Sequence, residues 1–214
     1  MTGRRLPYEA AMVSPASPST SSTNWLVLAL SAMAGLLVGW LVYDPGAAFM
    51  KEGGPVEAAS AAFLVVAATL AALRGLWAPA ALIGFLALRE LDFDKSFLSE
   101  GILQLRLYTG DAPLSEKAIG AAVVVAILAT LWANLRLLRH WGAGLRPRAS
   151  WAWIVLASIA IVVVAKTLDG LGRKLADVGI LISENADGIA SLIEEWLELG
   201  FAAGLVLAVL RYPR

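Results

Sequence analysis

Six apolar segments, separated by polar connections, make up most of this chain. We predict helices over residues 24–43, 56–73, 77–93, 118–135, 151–168 and 189–210. About 20 predominantly apolar helical residues cross the roughly 30 Å hydrocarbon core of a bilayer. The chain is 59% hydrophobic and 16% charged, whereas soluble domains are about 45–50% apolar and about 25% charged. The sequence therefore predicts an all-α, polytopic membrane protein, a bundle of six transmembrane helices.

The segments outside these helices are too short to fold as a separate soluble domain. Residues 1–23 are rich in serine, threonine and proline, a composition typical of disordered tails. We expect residues 24–210 to form a single membrane domain and residues 211–214 a short end. Two connections, about 95–108 and 171–183, carry spaced apolar residues. We predict that these two segments lie at the membrane interface.

The distribution of arginine and lysine predicts the orientation. One side of the predicted bundle, with both termini, holds nine arginines and no lysine, and the other holds three arginines and all five lysines. Cytoplasmic loops carry an excess of basic residues, and Arg89 and Lys166 on the opposite side belong to helix ends, not loops. We therefore expect both termini of this multi-pass protein to be cytoplasmic.

The last predicted helix is too short to cross a bilayer on apolar residues alone. Only twelve uncharged residues separate Glu198 from Arg211, and they rise about 18 Å as a helix. A span of sufficient length must reach back to about Ser191, which brings Glu194, Glu195 and Glu198 into the membrane profile. A charged side chain at a helix centre costs roughly 2.5–3.5 kcal/mol on insertion scales, so these acids need partners or a function.

The same length argument applies to other predicted helices, and with the orientation it places eight charged residues in the outer half of the bilayer. They are Glu57, Arg89, Glu90, Lys166, Asp169, Glu194, Glu195 and Glu198. At 100° per residue the three acids of the last helix share one face. A face with more acids than bases can carry a proton, hold a cation or receive a polar headgroup. In the alternative interpretation Arg89 and Lys166 only neutralise carboxylates and fix helix packing.

The remaining composition excludes several kinds of site. The chain has no cysteine and one histidine, His140, which excludes thiolate chemistry and a three-histidine zinc site. A serine–histidine nucleophile is also disfavoured, because His140 is predicted on the cytoplasmic side, away from the acids. We therefore assign no catalytic residue, no metal ligand and no cofactor. A net charge of zero argues against a nucleic-acid partner.

Three short segments carry a resemblance to known proteins. Glu52-Gly-Gly-Pro-Val-Glu57, Arg89-Glu-Leu-Asp-Phe-Asp-Lys95 and Lys166-Thr-Leu-Asp-Gly170 precede the acidic run at residues 194–198. Together they resemble a group of uncharacterised multi-pass bacterial inner-membrane proteins over about residues 50–200. The resemblance implies a location in the inner membrane and brings no activity and no assignment of site residues.

Three functions remain open at this point. The first is a membrane protein whose polar site binds a lipid headgroup, small solute or cation, in a transport or accessory role. The second is a structural subunit of a membrane assembly. The third is a lipid-modifying enzyme of the outer leaflet that uses paired carboxylates for acid–base chemistry. The expected partners are the lipid bilayer, a lipid, small-solute or cation ligand, and a second copy of the chain or another membrane protein.

Overall fold

The computed structural model describes residues 22–42, 54–91, 93, 98–145 and 149–213. Throughout these ranges the regular structure is helical and contains no strand, which confirms the all-α prediction. The helices are α1 (Ser22–Val42), α2 (Pro55–Leu73), α3 (Trp77–Glu90), α4 (Leu105–Thr109), α5 (Leu114–Leu145), α6 (Ser150–Leu168), α7 (Leu171–Ala176) and α8 (Glu184–Arg211). The predicted tail up to residue 21, the segment 43–53 and residues 95–97 of a predicted interfacial segment lie outside the described residues.

Three helices in the described ranges are long and apolar enough to cross a membrane. They are α2, the Leu114–Leu138 part of α5, and α6. The described side chains of α1 contribute a shorter apolar stretch, Ala29–Leu41. Much of the surface of the α5 stretch is uncovered by other helices, as expected for a helix whose apolar side chains contact lipid.

Several helix boundaries differ from the predicted ones. The α3 helix ends at Glu90 and not at residue 93, and α5 begins at Leu114 and not at residue 118. Two further differences have identifiable local reasons. The α8 helix begins at Glu184 and not at residue 189, because the Ser183 hydroxyl accepts a hydrogen bond from the Ala186 N–H at 3.2 Å and caps the helix. The α5 helix continues to Leu145 and not only to residue 135. Arg136 does not interrupt it and lies over the Trp132 ring, 5.2 Å from its centroid. The apolar pattern therefore marked only the apolar part of each helix.

A tight turn returns the chain from α2 to α3. Gly75 has a φ of 76°, a left-handed conformation that glycine adopts without steric penalty. The Arg74 side chain donates a hydrogen bond to the Val209 carbonyl near the end of α8. As a result the start of α2 and the end of α3 lie at one end of the bundle, and the α2–α3 turn lies at the other end, beside the end of α8.

Five helices make a closed ring of contacts. In order around the ring they are α2, α3, α5, α6 and α8, and α8 packs back onto α2, while α1 packs on the outside of α2. The core between α2, α3 and α8 contains Leu64, Ile83, Ala87 and Ala202. These packed side chains fix α2, α3 and α8 relative to one another, and with them the polar residues near their ends.

A close approach of α6 and α8 completes the ring. A Cβ atom at Gly204 of α8 would collide with the Ser158 hydroxyl of α6, whereas a Cβ at Gly200 would meet nothing within 4 Å. Ser158 is 1% exposed. Small residues at such positions let helix backbones approach in membranes, so Gly204 brings the charged ends of α6 and α8 together.

Candidate functional site

Antiparallel helix pairs bring the predicted polar residues to one end of the ring. Glu57 lies in the first turn of α2 and Glu90 is the last residue of α3. Lys166 lies in the last turn of α6, and the acids of α8 follow the return of the chain through α7. The first turn of α2, the ends of α3 and α6, and the first half of α8 therefore converge at the same end.

Lys166 is the centre of this cluster. Its ammonium group forms an ion pair with Glu198, lies 3.5 Å from Glu194 Oε1 and lies 3.9 Å from Asp169 Oδ2. The side chains of Glu194 and Glu198 are 14% and 15% exposed, and that of Lys166 is 35% exposed. These partly buried pairs join α6 to α8, where a fully exposed pair would contribute little.

Three more glutamates surround these pairs. Glu90 lies within electrostatic range of Glu57, Glu198 and Lys166, and Glu195 lies within range of Glu57, Glu194 and Glu198. In the part of the chain that the structure describes, neither Glu90 nor Glu195 forms an ion pair or a side-chain hydrogen bond. The cluster therefore contains carboxylates that its own basic groups do not neutralise by direct contact.

The two predicted counter-ions behave differently. Lys166 forms the ion pairs, while the Arg89 side chain is exposed and makes no ion pair with a described residue. Arg89 still lies within electrostatic range of Glu90 and Lys166. All eight predicted residues thus lie at one end of the bundle, with Lys166 as the neutralising contact and Arg89 at the edge.

An apolar cavity adjoins the cluster between α3, α5, α6 and α8. Its volume is about 570 Å³, and its lining is almost entirely hydrocarbon. Toward the cluster it ends at Leu86, Val162 and Phe201. Each of these residues lies one helical turn, three or four positions, from Glu90, Lys166 or Glu198 on the same face of its helix. The charged residues therefore lie just beyond one end of the cavity.

The opposite end of the cavity lies beside the α2–α3 turn. Gly75, Trp151 and Tyr212 line it there, and the Trp151 and Tyr212 rings pack edge to face with centroids 4.9 Å apart. The sequence did not predict the cavity, because apolar residues that face a cavity and those that face lipid have the same composition. The only sequence feature that could have indicated the cavity was that apolar residues lie three or four positions from the charged residues on the same helices.

Asn134 is a second feature that the sequence analysis missed. It lines the cavity and is 4% exposed. Its amide nitrogen donates to the Ala78 carbonyl at 2.8 Å and to the Thr130 carbonyl at 2.9 Å, which fixes the orientation of the amide. Its Oδ1 is buried and has no hydrogen-bond partner in the described structure. The signal in the sequence was one amide at the end of an otherwise apolar run.

Neither a metal site nor a similarity to known proteins helps to identify the function of the cluster. Among the described residues, no group of three or more histidine, cysteine, aspartate or glutamate side chains is placed to hold a metal ion. The His140 side chain lies outside the described residues. No known protein family, curated protein or solved structure matches the chain. The resemblance to the multi-pass bacterial proteins stays a prediction, and the function is inferred from the geometry alone.

Proposed function

We propose that this chain is a ligand-binding protein of the bacterial inner membrane, with a transport or accessory role. In this proposal α1, α2, α3, α5, α6 and α8 are six membrane spans, both termini are cytoplasmic, and the charged cluster lies in the outer half of the bilayer. The cluster binds a lipid headgroup, a small solute or a cation.

The observation that carries the proposal is the pair of glutamates, Glu90 and Glu195, that lack a protein partner beside Lys166. Both side chains are partly buried, and a carboxylate removed from water is costly unless a proton, a cation or a hydrogen-bond donor compensates it. The acids around Lys166 outnumber it, and the exposed Arg89 contacts none of them. A ligand with a positive or donor group supplies the missing compensation, which a purely structural pair would not need.

The arrangement of the helices supports the proposed topology. The helices α2 and α3 form a hairpin with a turn at Arg74, and Arg136 follows the apolar part of α5 at the corresponding end. Alternate crossing by six helices then puts Arg74, the α5 end and Arg211 on one side. This is the side with nine arginines, as expected for the cytoplasmic face.

Native mass spectrometry of the full chain in a mild detergent tests the proposal. We expect the wild-type protein to retain a small-molecule adduct that is reduced at least fivefold in the double variant Glu90→Gln/Glu195→Gln. The matched control is Glu184→Gln, an exposed acid on α8 away from the cluster, which should retain the adduct. Equal spectra for the wild type and the double variant, with no adduct in either, would contradict a binding role.

One observation favours a second function, that of a structural subunit in a membrane assembly. Lys166 pairs with Glu194 and Glu198 across the α6–α8 contact, and such pairs hold helices together without any ligand. In that case the apolar surface of α5 would meet a second copy of the chain or another membrane protein. The same spectra separate the two functions, because a structural cluster predicts a larger assembly and no bound small molecule.

A further inference from the structure

The apolar cavity contains a polar side chain at the end that lies away from the charged cluster. Asn134 lines the cavity, and its amide nitrogen donates to the Ala78 carbonyl in the first turn of α3, beside the α2–α3 turn. The cavity has a volume of about 570 Å³, which is within the usual range of small-molecule sites, about 300–1,000 Å³. The amide therefore lies beside a space large enough for a ligand.

The amide of Asn134 accepts no hydrogen bond from the described residues. The side chain is 4% exposed, and its nitrogen donates to the Ala78 and Thr130 carbonyls at 2.8 and 2.9 Å. Its Oδ1 is buried and has no partner in that part of the chain. A buried acceptor without a donor is destabilising. An O–H or N–H group that reaches Oδ1 therefore adds a hydrogen bond without breaking the existing two.

The lining that the structure describes contains no charged side chain. The residues of α3, α6 and α8 that line the cavity are aliphatic or aromatic, so an ammonium, carboxylate or phosphate group inside it would lack an ion-pair partner. The nearby Arg74 side chain donates to the carbonyls of Val209 and Leu210 at the end of α8. The lining therefore favours a neutral donor, such as a hydroxyl group.

The length and position of the cavity match a single hydrocarbon chain. Its lining from α8 runs from Phe201 to Tyr212, and eleven residue steps of helix rise about 16 Å. One leaflet contributes half of a hydrocarbon core of roughly 30 Å, which is about the same distance. Ile159 lines the cavity while 46% exposed. The space is therefore open at its side, and in the proposed topology a hydrocarbon chain can enter it from the bilayer.

Neither an ordinary acyl chain nor a water molecule meets the requirements of this site. An acyl chain fills the apolar space but carries no donor for Asn134. A buried water needs about two to four polar partners, and the lining is almost entirely hydrocarbon. A hydrocarbon chain that ends in a hydroxyl group meets both requirements, because the chain fills the space and the O–H donates to Oδ1. The site therefore distinguishes such a molecule from the bulk lipid around it.

We propose that the cavity binds a neutral single-chain amphiphile with a hydroxyl headgroup, and that this hydroxyl donates a hydrogen bond to Asn134 Oδ1. The chain extends from Asn134 toward Leu86, Val162 and Phe201, which line the other end of the cavity. The headgroup lies at the end opposite the charged cluster and makes no use of its acids. The inference therefore goes beyond the proposed function, and either can fail without the other.

Fluorescence quenching by 2-bromododecan-1-ol tests the proposal on the full chain in phosphatidylcholine nanodiscs. The bromine lies beside the hydroxyl group and quenches tryptophan on contact, and Trp77 and Trp151 line the cavity at the end beside the α2–α3 turn. We expect saturable quenching that the Trp77→Phe/Trp151→Phe variant loses. The matched probe is the methyl ether of the same alcohol, which keeps the chain, bromine and oxygen but has no donor. At equal mole fraction in the bilayer the ether should bind about tenfold more weakly, which corresponds to about 1.4 kcal/mol.

Variants test the hydrogen bond and the cavity separately. Asn134→Leu should weaken binding of the alcohol about tenfold and leave the ether unchanged, while Asn185→Leu, at an exposed asparagine of α8, should change neither. Val155→Phe adds a ring to the cavity lining on α6 and should weaken both probes. If Asn134→Leu does not fold, the comparison of the alcohol with its ether on the wild-type protein still decides whether a donor is required.

Several results would overturn the inference. Equal affinity for the alcohol and the ether would show that Oδ1 does not accept from the ligand. Quenching that persists without Trp77 and Trp151, or that is unchanged in Val155→Phe, would place the alcohol outside the cavity. Binding of 2-bromododecanoate as tight as that of the alcohol would assign the site to an anionic headgroup. Stronger quenching of the two tryptophans by the 12-bromo isomer would show that the chain lies in the opposite direction.

Discussion

Removing the positive charge at the centre of the cluster should destabilise the protein more than removing an exposed one. The Lys166→Met substitution keeps a side chain of similar length and leaves Glu194 and Glu198 without their ion pair. Breaking a buried pair on one side costs roughly 3–5 kcal/mol, and exposed pairs contribute about 0–1 kcal/mol. The two glutamates are 14% and 15% exposed and Lys166 is 35% exposed, so we expect a loss of about 2 kcal/mol, between these limits.

Thermal unfolding of the purified full chain measures this loss. For a chain of 150–250 residues, 1 kcal/mol shifts Tm by about 2–4 °C, so Lys166→Met should lower Tm by about 4–8 °C. Arg106→Met is the matched control, because Arg106 pairs with Glu100 at 3.2 Å while 81% exposed, and its loss should be less than about 1 kcal/mol.

A double-mutant cycle then tests whether the loss arises from the pairing itself. Adding Glu198→Gln to Lys166→Met removes one of the unpaired charges, so the double variant should lose about 1 kcal/mol less than the sum of the single variants. Additive losses, or a Lys166→Met variant as stable as Arg106→Met, would refute the inference that Lys166 neutralises partly buried carboxylates.

Three further predictions follow from the packing and the topology. Gly204→Leu should destabilise the protein by about 1–3 kcal/mol, because its side chain would enter the α6–α8 contact at Ser158, while Gly200→Leu on the open side of α8 should be neutral or slightly stabilising in the same unfolding assay. Phosphatase fusions after residues 110 and 145 should report opposite sides of the membrane, and agreement between them would contradict the proposed orientation. Asn134→Leu should change the unfolding free energy by less than about 1 kcal/mol, because interhelical hydrogen bonds in membranes average about 0.6 kcal/mol and the unpaired Oδ1 is removed with them. A much larger loss would show that the amide has another essential partner.

The helical fold was accessible to sequence analysis because hydrocarbon spans need long uncharged runs. The α2 and α6 helices lie where the apolar pattern placed them, since few charges interrupt those segments. The ends of the helices were harder to predict from the sequence. The start of α8 depends on the Ser183 cap, and the extension of α5 to Leu145 passes through arginines that the hydrophobic pattern excludes.

The residues of the cluster could also be predicted from the sequence, for a physical reason that does not apply to the cavity. Too few apolar residues precede Arg211 for a full span, and for this reason the sequence predicted Glu194, Glu195 and Glu198 within the membrane profile. The sequence did not show that Lys166, and not Arg89, forms the ion pairs. This depends on which side chain faces α8, and that is a property of the tertiary structure. The cavity and the unpaired Oδ1 of Asn134 depend on how four helices are spaced, which no pattern within one helix reports.

An experimental density map of the protein in lipid nanodiscs tests the central claim most directly. The account predicts Lys166 between Glu194 and Glu198, with non-protein density that contacts Glu90 or Glu195. A map in which Glu90 and Glu195 face separate surfaces, or in which the cluster is closed and contains no ligand, would contradict a binding site and leave the charges as helix-packing pairs.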